Sequence, residues 1–270
     1  MDTKIIALDL DGTLLNSQES LSTTTIETLQ QIKKQGHKII ITTGRPYRSA
    51  LPYYQTLGLD TPMITFNGAL VSLPGRKWKY EREYTVEKRI LIDLLNRGKE
   101  IKMDFLVSEY RKKFFIHQET PNTLDPKLLG VREITSDQKL QPHKITKNPN
   151  ALLIQTRSLD KDKLAIDLMA DYAGELTVSS WGGPLNILEC TPKGINKAHT
   201  LSYLLGVYNK TSNDLFAFGD QLNDKEMLAF AGHGFAMNNA HPQLLDFAKQ
   251  QISLTNDQDG VAKTLQELFL

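Results

Sequence analysis

The sequence predicts an α/β protein: a Rossmann-like parallel-sheet core assembled from both ends of the chain, with an α+β domain inserted between them. Three observations carry this. Short apolar runs alternate with amphipathic stretches over the first third of the chain. The same alternation returns after about residue 192. Between them, from about 83 to 191, short strands cluster around two helical stretches. Strands alternating with helices imply βαβ units and a parallel sheet, whereas clustered strands imply a separate α+β unit. The core is expected at 1–82 and 192–270, the insertion at 83–191.

The elements follow in order. Lys4 to Leu8 is an apolar run long enough for a buried strand. Ser22 caps a helix with Ile26, Leu29 and Ile32 on one face, and Gly36 ends it. Lys38 to Thr42 is the second strand. A helix carrying Tyr47, Leu51 and Tyr54 runs to Gly58, and Met63 to Phe66 forms the third strand. Val71, Trp78, Tyr80 and Tyr84, with Pro74 and Gly75 among them, read as hairpin material. In the insertion, helices are expected at 86–97 and 160–173, and strands at 103–108, 113–117, 151–156, 176–181 and 185–190. The core resumes with a helix from Ile195 to Leu205 ended by Gly206, and a strand from Leu215 to Phe218. A helix from Asn223 to Ala231, a strand from Gly234 to Met237 and a helix from Pro242 to Gln250 follow.

Composition excludes several classes. With 32 Lys and Arg against 31 Asp and Glu, the net charge of +1 gives no field to recruit nucleic acid or an anionic membrane. No Walker-type glycine-lysine loop occurs, and the six histidines show no zinc spacing. No apolar run approaches the roughly 20 residues of a spanning helix. Met1-Asp2-Thr3-Lys4 lacks the basic lead of a signal peptide, and the single cysteine, Cys190, forms no internal disulfide. A cytoplasmic monomer or homodimer acting on a small molecule is expected.

The chemistry concentrates where strands end. Asp9 and Asp11, in Asp9-Leu10-Asp11-Gly12-Thr13, lie just past the first strand. Ligands of open parallel sheets bind outside the carboxyl ends of the strands. Two such close carboxylates repel, so a cation or a proton is needed between them. Ionised Asp9 would serve as nucleophile and Asp11 as proton donor and acceptor. A plain Asp-Gly turn remains the alternative. A calcium loop does not, because Leu14 and Ser20 stand where an EF-hand counted from Asp9 needs its Gly and Glu.

Gly219-Asp220-Gln221-Leu222-Asn223-Asp224 follows another strand and adds two carboxylates at the same edge. Asp9, Asp220 and a backbone carbonyl, that of Asp11, suit magnesium with waters and a phosphate oxygen. The same residues suit a helix N-terminus, and the two roles coexist. Thr42-Thr43-Gly44-Arg45-Pro46 follows the second strand. Its hydroxyl and free amides suit a phosphate oxygen, or form a plain strand-to-helix connection. Lys197, at the start of a helix, either faces solvent or neutralises phosphate and holds Asp9 ionised.

These segments together resemble the haloacid dehalogenase superfamily of phosphatases, in order and in local spelling. Asp9-x-Asp11-Gly12-Thr13 is similar to its first motif and Thr43-Gly44-Arg45 to its second. Lys197 sits like its third, and Gly219-Asp220-x-x-Asn223-Asp224 like its fourth. Asn67-Gly68-Ala69, Met237-Asn238-Asn239-Ala240 and Asp259-Gly260-Val261-Ala262 resemble the Cof-type, sugar-phosphatase-like branch. Gln221-Leu222 and Asn238 depart from the small residues usual at those positions.

The resemblance implies a magnesium-dependent phosphatase of small phosphorylated metabolites, with Asp9 as nucleophile and Asp11 as general acid/base. Asp9, Asp220 and the Asp11 carbonyl would ligate Mg2+, with Asp224 helping through water or from behind. Thr43, Gly44, Lys197 and Asn223 would hold the phosphate. The insertion would be a mobile cap. Within it, Trp181-Gly182-Gly183-Pro184, Glu189 and Lys112-Lys113 are candidates to meet substrate, with burial of Trp181 as the plainer reading. A phosphomutase would need a second phosphate site, which no segment supplies. A non-catalytic phosphate binder would leave the acid/base and metal carboxylates without a purpose.

Overall fold

The structure is a computed structural model describing residues 2–120, 124–181 and 185–270. The chain packs as two compact units: Met1–Arg45, Ala50–Arg82 and Asn196–Leu270 in the first, Pro46–Ser49 and Glu83–Ile195 in the second. Along the chain the elements are β1 (Ile5–Leu8), α1 (Thr23–Lys34), β2 (Lys38–Ile41), α2 (Tyr47–Thr56), β3 (Met63–Thr65), β4 (Leu70–Ser72) and β5 (Arg82–Glu83). There follow α3 (Lys88–Asn96), β6 (Met103–Tyr110), β7 (Lys113–Gln118), β8 (Ala151–Thr156), α4 (Lys161–Asp171), β9 (Leu176–Ser180) and β10 (Ile187–Pro192). The last are α5 (Lys197–Val207), β11 (Leu215–Gly219), α6 (Lys225–Phe230), β12 (His233–Ala236), β13 (Gln250–Gln251) and α7 (Gly260–Phe269).

The first unit is built on a parallel sheet in the order β13-β12-β11-β1-β2. Every residue of β1 is buried, which is why Ile5-Ile6-Ala7-Leu8 is apolar throughout: helices cover both faces of such a sheet. Ile5, Ala7 and Ile40 pack with Leu201, Leu204, Leu215 and Leu228 in one cluster. α1 starts where Ser22 accepts from the Thr25 amide (3.0 Å), the expected cap.

Four local expectations are corrected. β3 joins the parallel series only through a bridge between Thr42 and Ile64, and pairs antiparallel with β4 in a three-stranded sheet β3-β4-β5. The cause is the tight turn Phe66–Gly68, where Phe66 and Asn67 both take φ of +53° and send the chain back. Trp78 and Tyr80 form no strand; their rings meet edge-on at 5.5 Å, and the Tyr80 carbonyl accepts from the Tyr203 hydroxyl (2.9 Å). Pro242–Phe247 is a 3-10 turn, and Gln250–Gln251, expected as the end of a helix, is the edge strand β13. The closing helix α7 was not anticipated.

In the second unit a five-stranded antiparallel sheet runs β7-β6-β8-β10-β9. Leu91, Leu94, Leu168 and Tyr172 from α3, α4 and the residue after it pack with Leu106, Ile154 and Leu188 of the strands in one cluster. Phe105, Val107, Phe114 and Leu153 form a second cluster with Leu124 and Leu129. Strand alternation explains the two faces.

Candidate active site

Asp9 sits one residue past β1. Its amide still donates to the Phe218 carbonyl (3.2 Å), extending the β1–β11 ladder by one step. The chain then leaves the strand through a tight turn over Leu10–Leu14. Gly12 makes that turn possible: its φ is +69°, and a Cβ there would lie 2.2 Å from Asp220 Oδ2. Asp220 follows β11, and Gly219 just before it lets Asp224 fold back, since a Cβ on Gly219 would meet Asp224 Cγ at 2.5 Å.

The result is a cluster of buried charge. Ligand oxygens of Asp9, Asp220 and Asp224 all lie within 4.8 Å of one another. Lys197, the first residue of α5 and fully buried, donates to Asp9 Oδ1 and to Asp224 Oδ1, both at 2.6 Å. The other oxygen of Asp224 accepts the amides of Asp220 (3.1 Å) and Gln221 (3.2 Å), so Asp224 caps the turn into α6 as well. Thr13 donates its hydroxyl to Asp220 Oδ1 (2.9 Å) and Gln221 its side-chain amide to Oδ2 (3.3 Å).

Electrostatics follow from that packing. Burial pushes the Asp9 carboxyl well above the usual carboxylate range; Lys197 offsets this only in part, and Asp224, Asp220 and Asp11 add to it. Burial and then Asp224 push Asp220 up to about 7, against the opposing Thr13 hydroxyl and Lys197 ammonium. Burial alone would lower Lys197, but the Asp224 and Asp9 carboxylates outweigh it and its pKa is raised. Lysine alone therefore does not keep Asp9 ionised. Three ionised carboxylates against one ammonium leave two negative charges buried. Such an excess persists only with bound protons or a divalent cation. An all-oxygen donor set of this spacing suits a hard cation such as magnesium.

Asp11 stands apart from this trio. Its side chain is half exposed and faces Arg45, whose Nε donates to Oδ2 (2.8 Å) and Nη2 to Oδ1 (2.5 Å). Thr43 is buried two residues past the end of β2. Its amide donates to the Ile64 carbonyl (3.0 Å), and its hydroxyl oxygen accepts the Arg45 amide (3.0 Å). Gly44 lies against Asn67, with 3.1 Å between a Cβ at 44 and Asn67 Oδ1. Asn223 donates to that same oxygen at 2.9 Å. Thus Asp9, Lys197, Asp220 and Asp224 share one cluster, while Gly44, Asn67 and Asn223 form a smaller one.

Thr13, Arg45, Asn67 and Asn239 also join the site, although no single one of them stands out in the sequence. Asn239 donates to the Gly12 carbonyl (2.8 Å) and so supports the turn beside Asp11. All four stand inside segments already singled out by spelling, which was the available signal. In the second unit Trp181 is half-buried and donates to Glu189 (3.2 Å). Gly182, Gly183 and Pro184 lie outside the described residues.

At the carboxyl edge of the open parallel sheet, where such sheets bind their ligands, three buried carboxylates and a buried lysine therefore come together. A family model described as haloacid dehalogenase-like hydrolase matches residues 6–265. The 5-amino-6-(5-phospho-D-ribitylamino)uracil phosphatase YitU of Bacillus subtilis is 32% identical over 276 residues, spanning 100% of this chain and 99% of that protein. The pyridoxal phosphate phosphatase YbhA of Escherichia coli is 30% identical over 250 residues, 89% of each chain. The crystal structure of a haloacid dehalogenase-like hydrolase from Bacteroides thetaiotaomicron superposes with a TM-score of 0.82 at 28% identity, covering 99% of this chain and 100% of that one. The chain belongs to the haloacid dehalogenase-like hydrolase family, as its motifs suggested. It is a hydrolase of phosphoric monoesters. Among the described residues no helix is long and apolar enough to cross a membrane.

Proposed function

We propose that this hydrolase removes phosphate from a small phosphorylated metabolite through an aspartyl-phosphate on Asp9, with Mg2+ held at the Asp9–Asp220–Asp224 cluster. The observation that carries it is the buried excess of negative charge around Asp9, which one lysine does not balance. The activities of the relatives YitU and YbhA, on 5-amino-6-(5-phospho-D-ribitylamino)uracil and on pyridoxal phosphate, support a metabolite of that size.

In this reading Asp9, Asp220 and the Asp11 carbonyl would ligate the metal, and Asp224 would help through water or from behind while it holds Lys197 and the loop in place. Bound there, magnesium would neutralise the carboxylates and the incoming phosphate, which keeps Asp9 ionised at neutral pH. An Asp9 oxygen forms a bond to phosphorus while the bond from phosphorus to the leaving oxygen breaks. Asp11 gives its proton to that oxygen. Water then attacks the phosphorus and Asp11 takes one of its protons. Inorganic phosphate departs and the Asp9 carboxylate is restored. Lys197, Thr43, Gly44 and Asn223 bind the phosphoryl oxygens and screen their charge. The insertion, residues 83–191, acts as the cap that selects the metabolite.

The test is phosphate release from a panel of phosphorylated sugars, nucleotides and cofactors. Release is expected to require Mg2+ and to fall at least ~10³-fold in Asp9→Asn, about 4 kcal/mol of transition-state stabilisation. Full activity in that variant, or in EDTA, would overturn the reading.

A further inference from the structure

We infer that Arg45 is a positioning residue that fixes the Asp11 carboxylate for proton transfer to and from the reacting oxygens. This rests on the reading of Asp11 as the general acid/base.

Among the described residues, the side-chain hydrogen bonds of Asp11 go to Arg45. Asp11 lies in a turn with a half-exposed side chain, next to a polar cleft of about 470 Å³ lined by Gly12, Asn16, Ser17, Glu19 and Asn239. An exposed Asp on a turn samples several rotamers, and proton transfer needs one of them within hydrogen-bond reach of the leaving oxygen. Arg45 supplies the restraint. Its Nε and Nη2 meet the two oxygens of Asp11 in the two-pronged geometry that only a guanidinium offers. The fork takes two of about four lone-pair positions on the carboxylate and leaves the others for a substrate oxygen or water.

Arg45 is itself immobilised. Its guanidinium lies 5.3 Å from the centre of the Tyr53 ring, and its Nη1 donates to the Tyr53 hydroxyl (3.4 Å). That hydroxyl donates onward to the Glu19 carbonyl (3.0 Å), and the Glu19 carboxylate stands 3.4 Å from Nη2. The Arg45 amide is tied to Thr43 Oγ1. Only 18% of the Arg45 side chain is exposed, so this cation is a built part of the site and not a solvated surface charge.

The test compares kcat/KM for glycerol phosphate, whose alkoxide must be protonated to leave, with p-nitrophenyl phosphate, whose phenolate leaves without a proton. Arg45→Ala and Arg45→Lys are measured beside Asp11→Asn. The expected result is a ~10²-fold loss on glycerol phosphate and less than a tenth of that loss on the aryl ester, the size usual for general acid catalysis. Asp11→Asn shows the same asymmetry, and the double variant is no worse than Asp11→Asn alone. Added guanidinium restores part of the glycerol phosphate activity of Arg45→Ala. Where Arg45→Ala fails to fold, Arg45→Lys carries the same comparison, since an ammonium keeps the charge and loses the fork. Equal losses on both esters in the Arg45 variants, with Asp11→Asn still asymmetric, would assign Arg45 to phosphate binding and overturn the inference alone. Equal losses in Asp11→Asn would overturn the acid/base reading and the inference with it.

Discussion

Lys197→Met isolates the electrostatic balance of the site. The ammonium is fully buried and makes two 2.6 Å bonds, to Asp9 and to Asp224. Methionine fills much the same volume and removes only the charge and the donors. Breaking a buried ion pair from one side costs about 3–5 kcal/mol, because the remaining charge stays buried without a partner. For a chain of this size each kcal/mol lowers Tm by roughly 2–4 °C, so the metal-free variant is expected to melt about 6–20 °C below wild type at pH 8. The loss shrinks as pH falls, because the carboxyls take up protons and no longer need the ammonium. Thermal unfolding in EDTA at pH 5 and pH 8 measures both. A Tm equal to wild type at pH 8, or a loss that grows on acidification, would refute the claim that Lys197 balances buried carboxylates.

Two further outcomes follow. Asp220 must lose its proton to ligate a metal, and its metal-free pKa is raised to about 7, so Mg2+ affinity rises with pH up to about 7 and then levels off; calorimetric titration reads this, and an affinity independent of pH would contradict it. The linkage sign is opposite in the metal-free protein: a carboxyl with a raised folded-state pKa stabilises at low pH, so stability falls as pH rises from about 4 to about 7, and saturating Mg2+ abolishes that fall. Gly12→Ala places a Cβ 2.2 Å from Asp220 Oδ2 on a backbone at φ +69°. The left-handed conformation alone costs about 1–2 kcal/mol, and the displaced carboxylate weakens Mg2+ binding; unchanged melting and metal affinity would show the turn to be more permissive than its geometry implies.

Much of the core was legible because its physics is local. Ile5–Leu8 and Leu215–Gly219 are buried on both faces, so each reads as an unbroken apolar run, and Ser22 and Gly36 mark the ends of α1. The carboxylates could be placed because each follows such a run. Trp78 and Tyr80 alternate as a strand would without forming one, and at the start of α7 a turn signal hides the helix. Asp259-Gly260 is left-handed at Asp259 and then opens α7. That Lys197 meets Asp9 across 188 residues was legible from the order of the motifs, since a lysine at a helix start by itself reads equally as solvated. One feature of the site had no signature in the chain. That Asp11 turns from the carboxylate cluster towards Arg45 depends on a side-chain direction set by the turn after β1.

The central claim is a covalent phosphate on Asp9. Acid-quenching the enzyme during turnover with a slow phosphomonoester, followed by peptide mass spectrometry, tests it directly. The account predicts a phosphate adduct on the peptide carrying Asp9 that disappears on neutral incubation and never forms in Asp9→Asn. Turnover with the adduct on a different residue, or an Asp9→Asn enzyme that still turns over at the wild-type rate, would contradict it.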